Sequence, residues 1–74
     1  MTDVLARLEA AASKQGLRAR WETVALRGTG LRQRLLFLVG RDGRARFSTS
    51  CVFGGERTVE QASATCADAM LAPG

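Results

Sequence analysis

Hydrophobic positions along this chain follow two periods. Val4, Leu5, Leu8, Ala11 and Ala12 recur at helical spacing and form one apolar stripe. Thr2 or Asp3 can cap that helix, and Asp3 suits the positive end of the helix dipole. Lys14 falls in the last turn, and Gly16 stands where a helix leaves through a left-handed residue. The spacing predicts a helix from Thr2 or Asp3 to Gln15.

The period then changes to two. In a first strand Leu17, Ala19, Trp21 and Thr23 share one face, and Arg18, Arg20 and Glu22 the other. Arg27-Gly28-Thr29-Gly30 is a turn. In a second strand Leu35, Phe37 and Val39 point one way, and Arg32, Arg34, Leu36 and Leu38 the other. Gly40-Arg41-Asp42-Gly43 is the next turn. In a third strand Ala45, Phe47, Thr49, Cys51 and Phe53 face one side, and Arg44, Arg46, Ser48, Ser50 and Val52 the other. Phe37 set opposite Phe47 leaves a three-residue loop, Arg41-Asp42-Gly43, with Gly43 supplying the positive φ. Leu35 then faces Thr49, and Leu38 faces Arg46. A second helix runs from Val59 to Leu71. Thr58 and Gln61 form its capping box, Val59, Ala62, Ser63, Cys66, Ala69 and Met70 its inner stripe, and Pro73 stops it.

These elements predict one α+β domain over residues 1–74, ordered α-β-β-β-α, with a three-stranded antiparallel sheet and both helices on one face. The covered face is expected to carry Trp21, Leu35, Phe37, Phe47 and Phe53, with Trp21 as a core anchor. The open face is expected to carry Arg18, Arg20, Arg32, Arg34, Arg44 and Arg46, mixed with Leu26, Leu36, Leu38 and Val52.

Composition narrows the chemistry. A chain of 74 residues has a marginal core, burying only about 60% of its unfolded surface. Two cysteines are too few for a secreted disulfide scaffold, and without histidine or a CxxC pair no ordinary zinc site can be assembled. No catalytic constellation or phosphate-loop motif is present, so neither enzyme activity nor a cofactor is expected. The N-terminus lacks the pattern of a signal peptide, and Leu35–Val39 is too short to cross a membrane, so a cytoplasmic protein is expected. The net charge is +4 and unevenly spread. Residues 17–57 hold nine arginines against Glu22, Asp42 and Glu56, whereas the first helix is balanced and the second is acidic.

The order of elements resembles the double-stranded-RNA-binding domain family. Leu8–Leu17 is similar to that family's first helix and its glycine exit, and Trp21-Glu22-Thr23-Val24 to its aromatic entry into the first strand. Gly28 falls at the start of the family's Gly-Pro-x-His loop. Gly54-Gly55-Glu56-Arg57-Thr58 resembles the approach to the second helix, and Ala62, Ala67 and Leu71 its packing face. The resemblance implies the fold and a duplex nucleic acid as partner. The family's contact positions differ, however. Val59-Glu60-Gln61-Ala62-Ser63 stands where the family has a lysine-rich helix start, Leu31 where it has histidine, and Ala10 where a polar residue is usual. The resemblance therefore implies nucleic-acid contact by another surface.

Two readings of that surface follow. The six strand arginines can pair with backbone phosphates of duplex RNA or DNA, or they can simply solvate an open sheet and discourage aggregation. Leu26, Leu36, Leu38 and Val52 on the same face instead favour a protein contact, either a homodimer or a partner protein, unless chain folded over the face covers them or a bulge turns them inward. With every aromatic residue expected in the core, stacking of single strands lacks a platform. Cys51 and Cys66 both point inward, either as a redox pair or as two small buried thiols.

Overall fold

In a computed structural model, which describes residues 3–73, the chain folds as α1 (Val4–Lys14), β1 (Arg18–Leu26), β2 (Leu31–Val39), β3 (Ala45–Phe53) and α2 (Val59–Leu71). The sheet is antiparallel in the order β1-β2-β3. Both helices pack on one face, so the architecture is the α+β one that the two periods predict.

Local chemistry sets the boundaries. The Asp3 carboxylate accepts the Leu5 N–H at 3.0 Å and starts α1. Thr2, the other candidate cap, lies outside the described residues. Helix α1 closes with paired turns: Leu17 N–H reaches the Ala12 carbonyl at 2.9 Å, and Gly16 N–H reaches Ser13 at 3.0 Å. That closure needs a left-handed residue, which Gly16 supplies at φ +73°. Helix α2 opens on the reciprocal pair expected of Thr58 and Gln61, at 3.1 and 2.9 Å. Its inner face is Ala62, Ser63, Cys66 and Ala67, all buried. Ala69, expected on that stripe, is exposed, and Ala67 takes its place.

The sheet differs from the sequence expectation in one respect, the facing of β2. Its turn is as expected. Val39 pairs with Ala45, Gly43 N–H reaches Gly40 at 3.0 Å, and Gly43 has φ +81°. One residue further a bulge shifts the ladder, so Leu38 pairs with Phe47, Phe37 with Ser48 and Leu35 with Ser50. The extra residue is Arg46. The expected pairs Phe37–Phe47, Leu35–Thr49 and Leu38–Arg46 do not form. A one-residue slip moves a whole strand's side chains to the other face. Phe47 and Phe53 keep the facing expected of β3, and β2 turns over.

Leu36 and Leu38, expected on the open face, are therefore core residues at 0% and 6% exposure. They share the core with Leu8, Ala12, Cys66 and Ala67, with Trp21 and Leu17 packed against it. Leu35, Phe37 and Val39, expected in the core, lie half-buried on the open face. The five-residue apolar run 35–39 suits either facing. The facing observed buries Leu36 and Leu38 beneath the small-residue face of α2 and leaves the bulkier Phe37 outside.

Candidate nucleic-acid interface

The turned strand divides the six strand arginines. Arg32 and Arg34 are on the helix-covered face, a correction to their expected outward place. Arg34 donates to the Ser63 hydroxyl at 2.9 Å and to the Thr23 hydroxyl at 2.8 Å. Its guanidinium also lies 4.8 Å from the centre of the Trp21 ring. Ser63 in turn donates to the Val59 carbonyl at 2.8 Å. Arg34 thus ties α2 to the sheet, and its fork is spent inside the protein. Arg32 lies over the buried Phe53 ring at 4.7 Å, a cation–π contact at the edge of the same layer.

Arg18 and Arg20 point outward from β1, as expected. Arg20 is engaged twice, with Glu22 at 3.2 Å and over the Phe37 ring at 5.0 Å. Arg46 occupies the bulge and folds back on the turn, pairing with Asp42 at 3.0 Å. Its guanidinium lies against Gly40, where an added Cβ would sit 3.2 Å from the Arg46 Nε. Arg44 is exposed in the turn ahead of β3, its N–H accepted by the Asp42 carboxylate at 3.0 Å. The six arginines do not form one basic sheet face.

A different grouping is present at one end of the molecule. Antiparallel topology brings the start of β1, the end of β2 and the β2–β3 turn together, since Arg18 pairs with Val39 and Val39 with Ala45. Arg18, Arg41, Arg44 and Arg46 all stand there, and Lys14 ends α1 on the same side of the molecule. Asp42, the acidic residue of this turn, is taken by Arg46. Among the described residues, the guanidinium groups of Arg18, Arg41 and Arg44 pair with no carboxylate, Arg44 meeting Asp42 only through its backbone N–H. Arg18 and Arg41 line an open depression of about 440 Å³ with Ser13, Gly16, Gly40 and Gly43. Glu9 borders a neighbouring depression beside Arg18 without pairing to it. Arg41 and Lys14 were missed by strand alternation because neither lies in a strand. The signal for them is topological, since a meander of equal strands puts the helix exit and the second turn at the same end.

The four aliphatic residues expected at a protein contact also separate. Leu36 and Leu38 belong to the core. Val52 is 49% exposed on the open face, and Leu26 lies half-buried at the end of β1. The open face instead carries Leu35, Phe37 and Val39 along its middle, with Val24 and Val52 beside them. Phe37 is an aromatic ring on that face, contrary to the expectation that all were in the core, although Arg20 covers it.

Cys51 on β3 and Cys66 on α2 both point inward as expected and are free thiols with sulfurs 3.8 Å apart. Cys51 donates to the Ala62 carbonyl at 3.4 Å and Cys66 to the Arg34 carbonyl at 3.6 Å. Burial pushes the Cys66 thiol up to about 11, with the adjacent Cys51 sulfur adding to it. A thiol so raised is a poor nucleophile, which fits a packing role. Among the described residues no helix is long and apolar enough to cross a membrane, and no group of three potential metal ligands is gathered.

The chain matches no protein-family model, no curated protein and no solved structure.

Proposed function

We propose that this domain binds the phosphate backbone of duplex nucleic acid through its basic end, with Arg18, Arg41 and Arg44 as the contacting residues. One observation carries the reading: these three exposed arginines converge at one end and have no carboxylate to neutralise them. Guanidinium groups match phosphate oxygens bidentately, and backbone contacts of this kind position a protein without reading sequence. Together with Lys14, Arg46 and Asp42, this end holds a charge of +4, equal to that of the whole chain. Nucleic acid therefore approaches along the dipole set by that end. The depression beside Arg18 and Arg41, lined partly by glycine, allows a phosphate to come close to the backbone. Helix α2, which opens on Glu60 rather than lysine, takes no part. Neither do Arg32 and Arg34.

A gel shift with duplex RNA and duplex DNA tests this. The triple variant Arg18→Glu, Arg41→Glu, Arg44→Glu is expected to lose binding at moderate salt. Arg27→Glu, in the β1–β2 turn at the opposite end, is expected to retain it. Equal retention by both proteins would overturn the proposal.

A further inference from the structure

The open sheet face poses a separate question from the basic end. Three nine-residue strands cover the helices on one side and nothing on the other. Down the middle of that bare side run Leu35, Phe37 and Val39 on the central strand. Val24 and Val52 flank Gln33 in the next row, at 45% and 49% exposure. Exposed apolar residues scattered singly are ordinary, whereas a contiguous patch on a regular surface marks a contact. Polar residues border the row on both sides, Arg20 and Glu22 on β1 and Ser48 and Ser50 on β3, and Gln33, between the two valines, donates to Ser50 at 3.0 Å. An apolar centre inside a polar rim is the anatomy of a protein interface.

Size and shape support the same conclusion. A compact monomer of 7.9 kDa exposes about 4400 Å² by the usual surface scaling. This chain exposes 5299 Å². The excess over the whole molecule, about 900 Å² against that scaling, is of the order of one side of a standard interface, about 800 Å² per partner. Its radius of gyration is 12.8 Å, against about 11 Å for a compact chain of this length. The molecule is a slab of 38 × 32 × 19 Å, a helix layer on a sheet layer with nothing beneath.

We propose that this face packs against the same face of a second copy, forming a twofold dimer with four layers, helix-sheet-sheet-helix. A second copy is the fitting occupant because the centre of the face is uncharged: Arg20 is paired with Glu22 at 3.2 Å, and the unpaired Arg18 stands beside Val39 at the corner nearest the basic end. Aligned sheets pack about 10 Å apart with interleaved apolar side chains, and the unbroken row of Leu35, Phe37 and Val39 supplies them. Mutual repulsion of the +4 basic ends favours the arrangement that sets them at opposite ends of the dimer, leaving both free. The contact is anchored on Leu35, Phe37, Val39 and Val52, and Arg18 meets it only at the corner beside Val39; the Leu35→Glu, Val52→Glu variant, which leaves the basic end intact, therefore tells the dimer apart from nucleic-acid binding.

Sedimentation equilibrium of the full chain over a concentration series tests the dimer. The expected mass rises to twice 7.9 kDa, and the association tightens with added salt as the like charges are screened. The double variant Leu35→Glu, Val52→Glu is expected to sediment as a monomer with an unchanged circular dichroism spectrum. If that variant fails to fold, methyl NMR of the natural sequence decides. Leu35, Val39 and Val52 methyls are expected to shift with concentration, while Leu8 and Leu36 stay fixed. A chain that remains monomeric at every concentration overturns the proposal. So does a dimer that survives in the folded double variant, or concentration-dependent shifts confined to the helices.

Discussion

Arg34 and Cys66 show how the same residue types serve unlike ends in this chain. Arg34 looks in the sequence like any other strand arginine. In the fold its guanidinium satisfies hydroxyls of Ser63 and Thr23 and stacks on Trp21. Hydrogen bonds to a charged donor contribute about 1.5–3 kcal/mol, and leaving a buried hydroxyl unmatched adds to the loss. Arg34→Ala is accordingly expected to lower unfolding free energy by about 2 kcal/mol in a denaturant titration, with nucleic-acid affinity nearly unchanged. Arg44→Ala is expected to do the reverse. Cys66 makes a pH prediction. Its folded thiol titrates near 11, above the unfolded value near 9, so the folded state favours the protonated form. The stability this contributes is fully present below pH 9 and is lost as pH rises toward 11. Thermal melts over that window are expected to show a steeper decline for the natural chain than for Cys66→Ala. Parallel declines would contradict a buried neutral thiol.

At the scale of elements, what could be read from the sequence depended on how many alternatives each segment left open. The helices were legible because stripe, cap and exit agree: Asp3, Gly16, Thr58 and Gln61 all act as their positions require. Both turns were legible from their glycines. β1 alternates cleanly and faces as expected, and so does β3 from Phe47 on, while Ala45, ahead of the bulge and expected on the covered face, pairs with Val39 on the open one. β2 does not, because residues 35–39 are apolar on both faces and Arg46 gives no sign in the sequence of being the bulged residue. Facing of that one strand decided the rest, sending Arg32 and Arg34 inward and Leu35, Phe37 and Val39 outward. The register makes a direct forecast. Leu36→Ala, at 0% exposure, is expected to cost about 2–5 kcal/mol through a cavity. Leu35→Ala, on the half-exposed face, is expected to cost less than about 1 kcal/mol in the monomer. Urea unfolding of the two variants at low concentration compares them, and equal losses would contradict the register.

For the whole molecule, two surfaces are separated by the fold: an apolar sheet face and a basic end. The first expectation, a single arginine-rich sheet face, merged them. Arg18, beside Val39, is where the two surfaces meet, while Arg41 and Arg44 stand in the turn beyond the strands, so phosphate contact there is compatible with self-association. Separation gives the two contacts opposite responses to salt. Sheet packing gains as repulsion is screened, and phosphate binding weakens as released counterions lose their advantage. The central claim is phosphate binding at the basic end. Fluorescence anisotropy of a labelled duplex, titrated with the natural chain over a series of salt concentrations, tests it most directly. Three phosphate contacts per bound domain predict a slope of log affinity against log salt of about −2.7 on duplex DNA. In the Arg18→Glu, Arg41→Glu, Arg44→Glu protein that binding is predicted to vanish. A slope near zero, or an unchanged slope in the triple variant, would contradict the account.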